Sequence, residues 1–372
     1  MNLRAAAQSR RVALVALVLA LGATSLANRE DAAIARAAEP EPPRQKIELV
    51  PEFPRAAGGP FPFGAQDLSV WQAKVPRIEQ VEITSAADGN TQRALFHDPG
   101  GNGAKPLLVV LHSWSEGYLQ NISIPYGVFA ERNGWVLVHP DHRGPYRRPE
   151  ATASTLALQD VLDAVAYARE HADVDPTRIY LAGYSGSAMT SLVLAAKHPE
   201  LFAAVVAWVP IYDLVDWYEF VRAQEPPMHY AQDIAASCGG PPVPGSRAAE
   251  ECRRRSPSAY LRGARGRVHV FLGAGIWDQL VPPDHALRAF NDLAAPEDRV
   301  GDEDLLQISR TRRIPGHLGG ESGSAPARLF TQARAEALFA RTSERATVVV
   351  FQGGHDVIYN AGLAWLADKR RN

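Results

Sequence analysis

Hydrophobic positions in this 372-residue chain fall mainly into short runs separated by longer amphipathic stretches. Residues 107–111, 135–139, 178–182, 202–209, 268–272 and 347–351 are each too short for an independent helix. Most contain β-branched residues and largely lack polar alternation, which is how strands buried on both faces read. Two alternating runs, 80–84 and 91–97, are joined by Ala86-Ala87-Asp88-Gly89-Asn90 and predict an antiparallel hairpin at the start of the fold. Helices are predicted over 126–133, 155–170, 187–197, 284–293, 327–341 and 361–369. In the second of these, Leu158, Val161, Leu162, Val165 and Ala166 recur on one face. Strands alternating with helices predict an α/β fold, a mostly parallel central sheet with helices on both faces. No repeat at solenoid or propeller period is present.

The rhythm breaks in three places. Arg4, Arg10 and Arg11 precede the apolar run 12–22, which is short for a membrane span and leads to small residues ending in Ser25-Leu26-Ala27; this predicts a signal peptide over 1–27, with cleavage after Ala27 or near Ala37. An uncleaved anchor is the rival reading. Residues 28–75, rich in Ala, Pro and Glu, are expected to be a linker that goes on to wrap the surface of a catalytic domain at 76–372. Residues 213–263 form a long aromatic-containing insertion, expected as a cap over the strand ends. The charged stretch 297–321 reads as a solvated surface insertion.

Composition narrows the function classes. With 46% hydrophobic and 22% charged residues the chain supports one large core. Loss of residues 1–27 removes three arginines and no acids, taking the formal charge from -2 to -5. That balance offers no footprint for nucleic acid. The two cysteines, Cys238 and Cys252, lie in the insertion and are expected to form a local disulfide in an exported protein, periplasmic or extracellular. No histidine or cysteine cluster accompanies them, so no metal is expected.

The predicted strand 178–182 runs into Gly183-Tyr184-Ser185-Gly186-Ser187-Ala188 and then a helix. So tight a turn needs small residues around the serine, and it lifts the hydroxyl above the sheet at a helix N-terminus. Ser185 is the candidate nucleophile. Ser187 stands where a glycine is usual, and is nearly as small.

This setting resembles the nucleophile elbow of α/β-hydrolases, in which the chain order is serine, acid, histidine. The resemblance implies a base in the loop after the last core strand, and His355 in Gln352-Gly353-Gly354-His355-Asp356 fits; His317 has no strand leading into it. Asp278, beyond the carboxyl end of strand 268–272, is the expected acid, holding the imidazole in one tautomer. Asp284 is better placed to cap the following helix, and Asp356 is too close to its histidine in sequence. Backbone N–H groups of Gly186 and Trp114 are the expected oxyanion donors, with Ser113 second to Trp114. His112 reads as a structural residue. Tyr184, Trp277 and Trp217 are the substrate-lining candidates.

Further strings fall in a consistent order. Arg143-Gly144, Asp160-Val161, Val174-Asp175-Pro176-Thr177-Arg178-Ile179, Ser256-Pro257 and Asp278 to Val281-Pro282 together resemble the catalytic domain of the prolyl-oligopeptidase family of serine peptidases and its esterase relatives. The resemblance covers roughly residues 79 to 370, and departs from the family where His112-Ser113-Trp114 replaces a His-Gly-Gly turn. It implies an α/β-hydrolase fold and acyl transfer through a covalent intermediate, with no cofactor. An ester is the expected substrate; a short peptide or aminoacyl amide is the alternative. An inactive hydrolase fold used for binding is the alternative of another class, and no stable membrane span is expected after signal removal.

Overall fold

The computed structural model describes residues 47–51, 66–319 and 323–371. The expected signal segment and most of residues 28–75 lie outside the described residues. Of the latter, residues 47–51 and 66–75 are described, and Val50, Trp71 and Val75 among them are buried. The Glu48 N–H donates to Asn133 and the Val50 N–H to Asn360, and a short helix, α1 (Leu68–Gln72), seats Trp71 in the core.

The strands are β1 (Glu79–Thr84), β2 (Thr91–His97), β3 (Lys105–Val110), β4 (Val136–Pro140), β5 (Val174–Tyr184), β6 (Ala204–Trp208), β7 (His269–Gly275), β8 (Ala337–Ser343) and β9 (Ala346–Phe351). They make one sheet in the order β1-β2-β4-β3-β5-β6-β7-β9-β8. The six strands from β4 to β9 in that order are parallel, while β2 and β8 join the two ends antiparallel. In β3, Leu107 and Val109 enter one core cluster and Leu108 and Val110 the other. Burial on both faces is why no polar residue alternates in these strands.

The remaining helices are α2 (Ile124–Asn133), α3 (Thr155–His171), α4 (Gly186–Lys197), α5 (Leu214–Arg222), α6 (Tyr230–Cys238), α7 (Arg247–Arg254), α8 (Asp284–Leu293), α9 (Asp302–Thr311), α10 (Ala325–Gln332) and α11 (Tyr359–Ala367). Val161 of α3, Leu192 of α4 and Phe290 of α8 pack in one cluster. Phe129 of α2, Phe330 of α10 and Leu363 of α11 pack in the other. Among the described residues no helix is long and apolar enough to cross a membrane.

Two expectations are corrected. The helix predicted over 327–341 ends at Gln332, and its second half is β8, which pairs with β9 from Ala337 opposite Phe351 to Ser343 opposite Ala346. Ala-Leu-Phe-Ala-Arg favours a helix locally, but the free edge of β9 and the burial of Phe339 decide otherwise. The charged stretch 297–321 is not wholly solvated, because α9 turns Leu305 and Ile308 into the core.

The strings that carried the family resemblance serve the scaffold. Arg143, at φ 80°, makes a two-pronged contact with Asp160 of α3 (2.6 and 2.9 Å) and reaches Asp88 in the hairpin turn (2.7 Å), binding loop, helix and hairpin together. Asp175 accepts from the Thr177 N–H and from Arg178 (2.9 and 2.6 Å), shaping the start of β5. The insertion at 213–263 folds as α5, α6 and α7. Asp213 caps α5, Cys238 and Cys252 are joined in a disulfide between α6 and α7, and Arg255 grips the carbonyls of Pro149 and Ala151 at 2.8 Å.

Candidate active site

Ser185 lies between β5 and α4 with φ 57° and ψ -119°. A non-glycine residue there carries about 1–3 kcal/mol of strain. The turn is held against it on both sides: the Ser185 N–H donates to the Trp208 carbonyl (2.9 Å) and its own carbonyl accepts from Met189 (3.1 Å). Ser187 adds a third clasp, its hydroxyl accepting from the Tyr184 N–H (2.8 Å) and donating to the Tyr184 carbonyl (2.9 Å).

Asp278 is fully buried beyond the end of β7. Its Oδ1 accepts from the backbone N–H groups of Leu280 (2.8 Å) and Val281 (2.9 Å), and its Oδ2 lies 2.7 Å from His355 Nδ1. A carboxylate so placed takes the Nδ1 proton in a hydrogen bond and leaves Nε2 as the basic nitrogen. The loops carrying the two residues are laced together, Ile276 N–H to the Phe351 carbonyl and Trp277 N–H to the Gly353 carbonyl, both 2.9 Å. They approach so closely at Gly275 that a Cβ there would fall 1.9 Å from the Gly354 oxygen. Asp356 closes the histidine loop, accepting from the Gly354 N–H at 3.1 Å.

Tyr184 links this pair to the serine turn. Its hydroxyl donates to the His355 carbonyl (2.8 Å) and its ring lies 4.9 Å from the imidazole. It is a strut under the histidine loop more than an open surface. Of the other substrate-lining candidates, Trp217 is 1% exposed, with its indole donating to the Leu280 carbonyl (2.8 Å), whereas Trp277 is 50% exposed beside Asp278.

The loop after β3 distinguishes Trp114 from Ser113 as the donor expected to pair with Gly186. The Ser113 N–H is committed to Gln120 Oε1 (2.7 Å), whereas no acceptor among the described residues takes the N–H of Trp114 or of Gly186. The Trp114 carbonyl accepts from Tyr146 (2.7 Å). His112 is buried behind this loop, its Nε2 2.5 Å from the Asp141 carbonyl and its ring stacked on His142 at 3.9 Å. Burial pushes His142 well below the usual histidine range, so its ring is neutral, with Nδ1–H donating to the Pro140 carbonyl and Nε2 accepting from the Tyr146 hydroxyl (3.0 and 2.8 Å). Nothing in the sequence singled out Gln120, Tyr146 or the Tyr184 contact. No group of three or more His, Cys, Asp or Glu able to hold a metal occurs among the described residues.

Comparison with known proteins gives a consistent picture. The model of the prolyl oligopeptidase family matches residues 152–328. Acetylxylan esterase A of Emericella nidulans is 25% identical over 142 residues, covering 35% of this chain and 46% of that protein. The uncharacterized peptidase y4sO of Sinorhizobium fredii is 26% identical over 201 residues, 54% of this chain and 26% of that protein. The chain thus spans less than half the length of either relative. Among solved structures, puromycin hydrolase superposes with a TM-score of 0.52 at 14% identity, over 78% of this chain and 38% of that one.

Proposed function

Taking as premise that this chain is a serine hydrolase with the α/β-hydrolase fold, similar to the prolyl oligopeptidase family and to esterases, we propose that it cleaves a carboxylic ester with Ser185 as nucleophile, His355 as base and Asp278 as the acid that orients it. The observation that carries this reading is the 2.7 Å contact between His355 Nδ1 and a buried Asp278, on loops tied by Tyr184 to the strained serine turn.

His355 Nε2 takes the proton from the Ser185 hydroxyl as its oxygen bonds to the carbonyl carbon, and the tetrahedral oxyanion rests on the N–H groups of Gly186 and Trp114. Collapse breaks the bond to the leaving alcohol, which takes that proton from the imidazolium. Water then adds to the acyl-serine with the same base, releasing the acid and restoring Ser185. Esters are preferred over amides because acetylxylan esterases are among the relatives. The family match keeps a peptidase as the second reading. Export is part of the proposal, since a disulfide such as Cys238–Cys252 persists in an oxidising compartment.

Turnover of aryl acetates and aminoacyl anilides tests the substrate class. Aryl acetates are expected to turn over faster, with Ser185→Ala lowering kcat on the order of 10⁵-fold. Faster anilide cleavage would replace the ester reading with the peptidase one, and full activity in Ser185→Ala would remove both.

A further inference from the structure

Resting on that reading, we propose that Asp233 in the cap helix α6 is a positioning residue for the oxyanion site, acting through the side chain of Trp114. The Trp114 Nε1–H donates to Asp233 Oδ2 at 3.1 Å, across 119 residues of chain. Asp233 is otherwise approached by His229, whose Nε2 lies 4.0 Å from the same oxygen.

The indole is buried and wedged by three rings, Trp217 at 4.9 Å, Tyr146 at 5.3 Å and Tyr230 at 6.2 Å. Trp217 and Tyr230 both belong to the cap. The indole also packs onto the residue that carries the second oxyanion donor, since a Cβ on Gly186 would fall 2.9 Å from Trp114 Cε3. The Trp114 main chain is fixed by its carbonyl contact with Tyr146 and by the Ser113 contact with Gln120. Clamped at ring and carbonyl, the peptide N–H has one direction to point.

A buried indole N–H stripped of its acceptor is costly, so loss of the Asp233 carboxylate drives the ring to move. Movement of the ring opens its contact with Gly186 and releases one of the clamps on the Trp114 peptide, so both donors lose their alignment. Oxyanion donors act in the transition state, so the damage falls on kcat and spares substrate binding. The cap therefore supplies part of the geometry of catalysis as well as a roof. Local sequence gives no hint of this, because Asp233 sits in an ordinary amphipathic helix.

The test compares wild type, Asp233→Asn, Asp233→Ala and Trp114→Phe on an aryl acetate and on a trifluoromethyl ketone, whose hemiketal with serine mimics the oxyanion. Asp233→Ala and Trp114→Phe are each expected to lower kcat about tenfold, with KM within about twofold, and to weaken the ketone by the same factor. Asp233→Asn keeps an acceptor oxygen and is expected within about twofold of wild type. The double variant Asp233→Ala with Trp114→Phe should be no worse than either single one, because both remove one bond. Unchanged kcat in Asp233→Ala, a loss confined to KM, or an equal loss in Asp233→Asn overturns the proposal. If Asp233→Ala does not fold, normal kcat and ketone affinity in Trp114→Phe overturn it. A wild type inert to both compounds sinks the hydrolase reading and this one with it, whereas an active wild type with indifferent variants sinks this one alone.

Discussion

Ser187 replaces the glycine usual in such turns, and its hydroxyl clasps the Tyr184 backbone from both sides. Gly275 shows the opposite requirement, a place where no side chain fits. A Cβ 1.9 Å from the Gly354 oxygen forces the Asp278 and His355 loops apart. Gly275→Ala is therefore expected to lower kcat at least about 100-fold, because a displacement near 1 Å at a catalytic pair is enough for that loss. Steady-state kinetics alongside a melting curve checks it, and wild-type kcat would contradict the account of how the pair is held. The strand ends that carry Ser185, Asp278 and His355 were legible, and so was the pairing of Asp278 with His355, because each residue follows a readable strand. Tyr184, Gln120 and Asp233 were not legible as partners, since each contact is set by tertiary packing, and the one between Asp233 and Trp114 spans 119 residues.

Among the elements, the insertion at 213–263 is the one that carries a covalent cross-link. The disulfide closes a separation of 14 residues between α6 and α7, and a loop of that size corresponds to about 3 kcal/mol of stability. The double variant Cys238→Ser with Cys252→Ser is expected to lose roughly that amount in urea unfolding, and an unchanged midpoint would show the cap to be held by packing alone. Element type was readable where apolar runs were long and bounded by turn residues, as in α3 and α8. It was misread at β8, where local propensity points to a helix and only the unpaired edge of β9 makes a strand. Helix α9 was hidden by its charges, because just Leu305 and Ile308 face inward.

For the whole molecule, the buried His139 and the half-buried His269 shape the response to acid. Burial pushes His139 down to about 3 and His269 down to about 4. Among the described residues, neither ring nitrogen of His139 has a hydrogen-bond partner. Unfolded histidine titrates near about 6.5, so below that pH the unfolded chain takes up protons that the folded one refuses. Their contribution to stability is full above about 6.5 and is lost as pH falls toward 4 and then 3. Urea midpoints at a series of pH values should therefore fall steadily below about pH 6.5, and a flat profile down to pH 4 would contradict the burial of these rings. The mostly parallel sheet and its two-sided core were implied by alternating strands and helices, while the strand order and the contact of Asp233 with Trp114 in the loop after β3 emerge only in the folded whole.

The claim that unites these scales is that Ser185 is the nucleophile. Reaction of the native protein with an organophosphonate, followed by mass mapping of the modified peptide, tests it most directly. The account predicts a single adduct on Ser185 that is absent from Ser185→Ala and strongly slowed in His355→Asn. No adduct, or an adduct that persists on another residue in Ser185→Ala, would contradict it.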